Sequence, residues 1–270
     1  MIFLDIDGTL VDRTLQVPES AAEAINKAKA NGHKLYLNTG RSRCQVFDHI
    51  WEVGFEGFIG GNGIYIEEHG KELFHRPIPE VLTDKVIEYL EENKNGFFVE
   101  NNISLYANQN YLPSLARLMN FSVEDAFKWT TRVFPSTTFD CSEWHMDANK
   151  ISVVLTEDVD IEKLKQFISP ELTLGLWNMS SRKRGFADIF QDGTSKGKAV
   201  KFIMNRLGKP LEDAYSFGDS DNDIEMIETT GIGVAMGNAI PQLKDVADHI
   251  TDHVTEDGLA NAFKHVGLID

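Results

Sequence analysis

Residues 1–10 read Met-Ile-Phe-Leu-Asp-Ile-Asp-Gly-Thr-Leu, and their reading decides the fold. Met1 to Ile6 is apolar but for Asp5, and Gly8 and Thr9 break the run. A short, unbroken apolar run before a glycine is the mark of a parallel strand buried on both faces. The next segments extend the pattern. Pro18-Glu19 suits a helix start, Ala21, Ala22, Ala24, Ile25 and Ala28 continue the helix, and Gly32 lies just past its end. Lys34 to Asn38 reads as a second strand, residues 44–53 as a helix closed by Gly54, and Phe58-Ile59 as a third short strand. Alternation of strand and helix predicts a doubly wound α/β sheet.

The pattern then changes. Ile64–Glu67 and Glu72–His75 look like a hairpin around His69-Gly70. A helix is expected near residues 82–92, a second hairpin at 97–100 and 103–107 around Asn101-Asn102, and a helix at 161–168. Further strands are expected at 151–155, 172–177 and 186–190; residues 122–149 carry no clear signal. Alternation returns after Gly193, with helices at 195–207, 221–228, 240–246 and 258–265 and strands at 214–217, 232–234 and 249–250. These expectations place an α+β insert at residues 80–187 within a discontinuous core, 1–79 and 188–270.

Composition bounds the function. Of 270 residues, 42 % are apolar and 25 % charged, which is ordinary for a globular chain and excludes a disordered or collagen-like one. The net charge of −16 opposes binding to a phosphate backbone, so no nucleic-acid partner is expected. No apolar run has the roughly 20 residues of a membrane span, so no membrane partner is expected either. Cys44 and Cys141 make neither a metal spacing nor a disulfide framework. With no signal-peptide pattern at Met1, a cytoplasmic location is expected. Nothing in the sequence speaks to oligomeric state.

Four segments carry chemistry. Asp5 and Asp7 lie where ligands bind in open α/β sheets, at the carboxyl end of a strand. They suit a nucleophile and an acid/base, or are two loop acids. Thr39-Gly40 ends the second strand and suits a phosphate, since a glycine lets backbone N–H groups approach an anion; it could equally be a turn. Arg41 beside it either touches substrate or starts a helix in solvent. Lys196 opens a helix, where it opposes the helix dipole and calls for a nearby anion. Lys198 and Lys201 suit that helix's solvated face. Gly218-Asp219-Ser220-Asp221-Asn222-Asp223 puts three acids in five positions, as a hard cation such as Mg²⁺ requires. An EF-hand does not fit: counting from Asp219, the sixth and twelfth residues are Ile224 and Thr230, not Gly and Glu. Asp219 and Asp223, four apart, are expected on one face of a helical turn.

Together these segments resemble the haloacid dehalogenase-like hydrolase superfamily. DIDGTL at residues 5–10 matches its first motif, Thr39-Gly40 its second, Lys196 its third and GDSDND at 218–223 its fourth. Asn62-Gly63 and the stretch Ala247–Gly258 look like the Cof-type branch with a class IIB cap. The resemblance implies a Mg²⁺-dependent phosphatase acting on a small phosphorylated metabolite, a sugar phosphate first. Asp5 would be the nucleophile, forming an aspartyl-phosphate, and Asp7 the general acid/base. Thr39 and Lys196 would grip the substrate's phosphoryl oxygens with Asn222 assisting, and Gly40 and Asn62 would also bind the substrate. Asp5, the Asp7 carbonyl, Asp219 and Asp223 would hold Mg²⁺, Asp223 either through water or by positioning Lys196. A phosphosugar mutase and a phosphometabolite sensor without turnover share these residues. A receiver domain does not fit, because its acceptor Asp ends the third strand; a P-type ATPase would need membrane spans. In the insert, Arg182, Lys183 and Arg184 could recognise a second anion or be a solvated turn; Trp177, Asn178 and His145 are weaker candidates.

Overall fold

The structure, a computed structural model, describes residues 1–142, 144, 146–177 and 185–270. It divides into two compact units: Met1–Arg41, Val46–His75 and Thr194–Asp270 form one; Ser42–Gln45 and Arg76–Gly193 form the other.

The first unit is built on an eight-stranded sheet. Its order is His249–Ile250, Ile232–Ala235, Tyr215–Gly218, Ile2–Leu4, Leu35–Asn38, Gly57–Gly60, Tyr65–Glu68, Lys71–His75. The first six strands are parallel and the last two antiparallel. The strand Ile2–Leu4 is the switch point: the chain winds outward from it to one side, then returns to pair Tyr215–Gly218 on the other. The apolar run at the N-terminus follows from burial on both faces. Ile2 and Leu4 pack with the helices Glu19–Ala30 and Gly258–His265, through Ala21, Ile25 and Phe263 among others. Met1 and Phe3 point the other way, into Ala199, Val200, Ile203 and Met204 of the helix Lys196–Arg206. Residues alternate across a strand, so a strand covered twice must be apolar throughout.

The second unit is a six-stranded sheet of order Thr173–Leu176, Phe186–Phe190, Lys150–Val154, Phe97–Glu100, Leu105–Ala107, Thr137–Thr138. Only the last pair is parallel. Helices Glu80–Glu92 and Ile161–Ile168 cover one face through Val86, Leu90 and Leu164 against Phe97, Val99 and Ile151. Tyr111–Met119 and Val123–Val133 cover part of the other face, against Phe98, Leu105 and Phe186. The rest of that face is polar: buried Glu100 and Lys150, with Asp188, are linked at 2.8–3.3 Å and share Ser152.

Several local expectations change. The hairpin after Phe97 turns through four residues, because Asn101 Oδ1 accepts the N–H groups of both Ile103 and Ser104. The helix expected at 44–53 shrinks to a single turn at Asp48–Trp51 after a 3₁₀ turn at Arg43–Gln45. Residues 122–149 contain a helix capped by Ser122, whose side chain accepts the Asp125 N–H. That capping signal lies in the sequence but was masked by an exposed, weakly apolar helix. Both cysteines are free. Among the described residues no helix is long and apolar enough to cross a membrane.

Candidate active site

In a parallel sheet all strands end on one edge, so the loops after them meet there whatever their sequence separation. Five such loops build the site: Asp5–Thr9, Thr39–Arg41, Gly61–Gly63, Asp219–Asp223 and Met236–Ile240. Lys196 joins them from the first turn of its helix.

Lys196 is fully buried, with Nζ 2.7 Å from Asp5 Oδ1 and 2.6 Å from Asp223 Oδ1. These two carboxylates are the anions that its position at a helix N-terminus calls for. Burial works against its charge, yet Asp223 and Asp5 outweigh it and hold the ammonium well above its ordinary range. For Asp5 burial dominates: its carboxyl is pushed up although Lys196 pulls it down, with Asp223, Asp219 and Asp7 adding to the rise.

Asp219 and Asp223 do not share a helical face. Asp219 lies in the loop, ahead of the 3₁₀ turn Asp221–Asp223. The reason is a capping box. Asp223 Oδ2 accepts the N–H groups of Asp219 and Ser220, at 3.0 Å each, and folds the loop back on itself. Asp223 therefore engages both oxygens, one on the loop and one on Lys196. Asp219 is different. Its Oδ1 is buried without a hydrogen-bond partner, and burial pushes its carboxyl up to about 7, the charges of Asp223 and Asp7 adding. Oxygens of Asp5, Asp219 and Asp223 lie within 4.8 Å of one another. An orphaned carboxylate oxygen amid like charges fits a hard divalent cation, which takes oxygen ligands.

Gly8 is required beside it. At φ +85° it sits in the left-handed region, and a Cβ there would lie 2.2 Å from Asp219 Oδ2. Gly63, at φ +90°, lies as close to the helix of Lys196: a Cβ would come 2.6 Å from the Ser195 carbonyl oxygen.

Asp7 is half exposed and held in a bidentate pair by Arg41, whose Nε donates to Oδ2 at 2.7 Å and Nη2 to Oδ1 at 2.6 Å. Arg41 is thus not a residue in solvent: its side chain is largely covered and paired with Asp7. Thr39 is buried, and its Oγ1 accepts the Arg41 N–H at 3.2 Å. Asn222 Nδ2 donates to Asn62 Oδ1 at 2.9 Å, and both amides flank Gly40. All nine residues expected at the site thus lie on loops or a helix end at one sheet edge. In the other unit, Arg182, Lys183, Arg184, Asn178 and His145 lie outside the described residues. Trp177 stacks on Phe186 at 4.8 Å, with Lys150 Nζ 5.6 Å from its ring centre.

Sequence reasoning missed two asparagines. Asn38 donates from Nδ2 to the Lys196 carbonyl at 3.1 Å. Asn238 donates to the Gly8 carbonyl and to Asp219. A polar residue ending an otherwise apolar strand, and an Asn after a glycine at a strand end, were the available signals.

A sequence profile of the haloacid dehalogenase-like hydrolases matches residues 2–263. YkrA of Bacillus subtilis, a provisionally named phosphatase, is 30 % identical over 279 residues, covering 100 % of this chain and 98 % of its own. The pyridoxal phosphate phosphatase YbhA of Escherichia coli is 28 % identical, covering 96 % of each. Among solved structures, the subclass IIB sugar phosphatase BT4131 matches with a TM-score of 0.79 at 27 % identity, over 99 % of both chains.

Proposed function

The chain belongs to the haloacid dehalogenase-like hydrolases and is a phosphatase, and from that premise we propose that it hydrolyses a small sugar phosphate, with Mg²⁺, through an aspartyl-phosphate on Asp5. The observation that carries this reading is the Asp5 carboxylate, buried against the Lys196 ammonium and beside the orphaned oxygen of Asp219. The sugar-phosphate class is supported by the likeness to BT4131, and the insert, residues 80–187, is proposed as the cap that selects the leaving group.

Asp5, Asp219 and the Asp7 carbonyl would hold the cation, with Asp223 beside them. Bound there, it would supply positive charge against the repulsion between a carboxylate nucleophile and a phosphate dianion. Asp5 forms a bond to phosphorus as the bond to the leaving oxygen breaks. Asp7 gives that oxygen a proton. In the second step Asp7 takes a proton from water, which attacks phosphorus and releases Asp5. Lys196 draws the Asp5 carboxyl down against the rise that burial causes and, with Thr39 and the amides of Asn62 and Asn222, positions the phosphoryl oxygens. Catalysis then rests on orientation and electrostatics.

The test is purified protein with Mg²⁺ against a panel of phosphorylated metabolites, scored by released phosphate. Release from sugar phosphates that stops in excess EDTA and returns with Mg²⁺ is expected. Isomer interconversion without phosphate release would instead identify a mutase, and binding without turnover a sensor. Full activity in EDTA would remove the cation from the mechanism.

Arg41 offers a second check. Its planar fork fixes Asp7 in one orientation, which the single ammonium of Lys cannot do. Arg41→Ala and Arg41→Lys should both lower kcat on alkyl phosphates, by about 10- to 100-fold, less than the roughly 10²–10⁴ that a general acid/base itself contributes. Equal activity of Arg41→Lys and wild type would show that only charge is needed.

A further inference from the structure

The loop Met236–Ile240 follows the strand next to Asp219 and is tied to it. The Met236 N–H donates to the Gly218 carbonyl at 3.0 Å, and the Ile240 N–H to the Asp219 carbonyl at 2.9 Å. From within this loop Asn238 reaches three segments. Its Nδ2 donates to the Gly8 carbonyl at 2.8 Å and to Asp219 Oδ2 at 3.3 Å. Its Oδ1 accepts the Val254 N–H at 2.9 Å, which orients the amide and fixes the NH₂ on the acid side. Among the described residues no other side chain donates to the Asp219 carboxylate.

The two oxygens of Asp219 are chemically equivalent until something distinguishes them. Asn238 does. By holding Oδ2 it leaves Oδ1 as the oxygen without a protein partner, among the oxygens of Asp5 and Asp223. Its second hydrogen bond, to the Gly8 carbonyl, fixes the turn that carries the Asp7 carbonyl. We infer that Asn238 is a positioning residue of the cation site, setting which Asp219 oxygen faces the ion and anchoring the Asp7–Gly8 turn. This inference rests on the proposed cation requirement. Residues that orient metal ligands typically carry a 10- to 100-fold share of affinity.

The test is calorimetric titration of the intact protein with Mg²⁺, beside the Mg²⁺ dependence of turnover. Asn238→Ala removes both donors; Asn238→Leu removes them while keeping volume. Val254→Ala keeps the backbone N–H that Asn238 accepts and trims only the apolar packing behind it, in the cluster that Met236 shares, so it measures what loosening alone does. Both Asn238 variants are expected to bind Mg²⁺ about 10- to 100-fold more weakly and to need correspondingly more Mg²⁺ for half-maximal turnover. Val254→Ala should keep wild-type affinity. Affinity within twofold of wild type in the Asn238 variants, or an equal loss in Val254→Ala, would overturn the assignment. Failure of both Asn238 variants to fold in excess Mg²⁺ would also overturn it, by making Asn238 a residue of the fold. No Mg²⁺ binding by wild type would instead overturn the cation requirement itself.

Discussion

Asp7→Asn is expected to release a burst of p-nitrophenol from p-nitrophenyl phosphate and then turn over slowly, while Asp5→Asn releases none. The two acids stand two residues apart but in different settings. Asp5 is buried against Lys196; Asp7 is half exposed in the fork of Arg41. Asp5→Asn removes the only nucleophile that the proposed chemistry has, so no phosphoenzyme forms with any substrate. Asp7→Asn keeps the nucleophile and removes the proton donor. An alkoxide is a strong base, and its departure without a general acid should slow by about 10²–10⁴. Phenolate bearing a nitro group is stable near neutral pH, so Asp5 is still phosphorylated. The water has then lost its base, and hydrolysis of the aspartyl-phosphate becomes limiting. The burst should reach at most about one equivalent per site. A burst in Asp5→Asn instead would reverse the roles. Equal, modest losses in both variants on every substrate would mean that neither acid does covalent chemistry.

Metal-free Asp219→Asn should be more stable than metal-free wild type at pH 8, and the difference should vanish toward pH 4. Burial pushes the Asp219 carboxyl up to about 7 in the folded protein, with Asp223 and Asp7 adding and Lys196 and Asn238 opposing. Unfolded, it titrates near the ordinary value of about 3.9. Between the two values the folded state binds the extra proton, so its stability falls as pH rises; above about 7 the cost is complete. Three pH units correspond to about 4 kcal/mol, a ceiling because Asp5 and Asp223 share the same charge repulsion. Asn carries no such cost. Urea unfolding of both proteins in EDTA across this range measures it. Mg²⁺ should reverse the order at pH 8, since it stabilises whichever protein binds it. A difference that does not vary with pH would show that Asp219 ionises freely in the fold.

The doubly wound sheet was legible because its signal is local. A strand covered on both faces must be apolar at every position, and Met1–Ile6 is so but for Asp5. The second unit was harder to read. Its helix Val123–Val133 buries only Ala126 and Thr130 and keeps Phe127 half exposed, so its apolar stripe is thin. The helix expected at 44–53 failed for a related reason. Ser42 to Gln45 belong to the second unit, where the Ser42 hydroxyl meets Glu100 and Cys44 Sγ the Asn101 carbonyl. Tertiary partners there override a helical pattern.

The site divides in the same way. By itself the sequence determined which residues end strands, and therefore that Asp5, Thr39, Asn62 and Asp219 share one edge, with Lys196 opening a helix nearby. Only the tertiary structure decided what each side chain does there: that Lys196 bridges Asp5 and Asp223, that Arg41 holds Asp7, that Asp223 closes its own loop, and that Asn238 leaves one oxygen of Asp219 bare. Strand ends are written in short-range periodicity. The pairs are made between residues up to 230 positions apart, by loops whose meeting depends on the order of strands in the sheet and on angstrom-scale packing that no local pattern encodes.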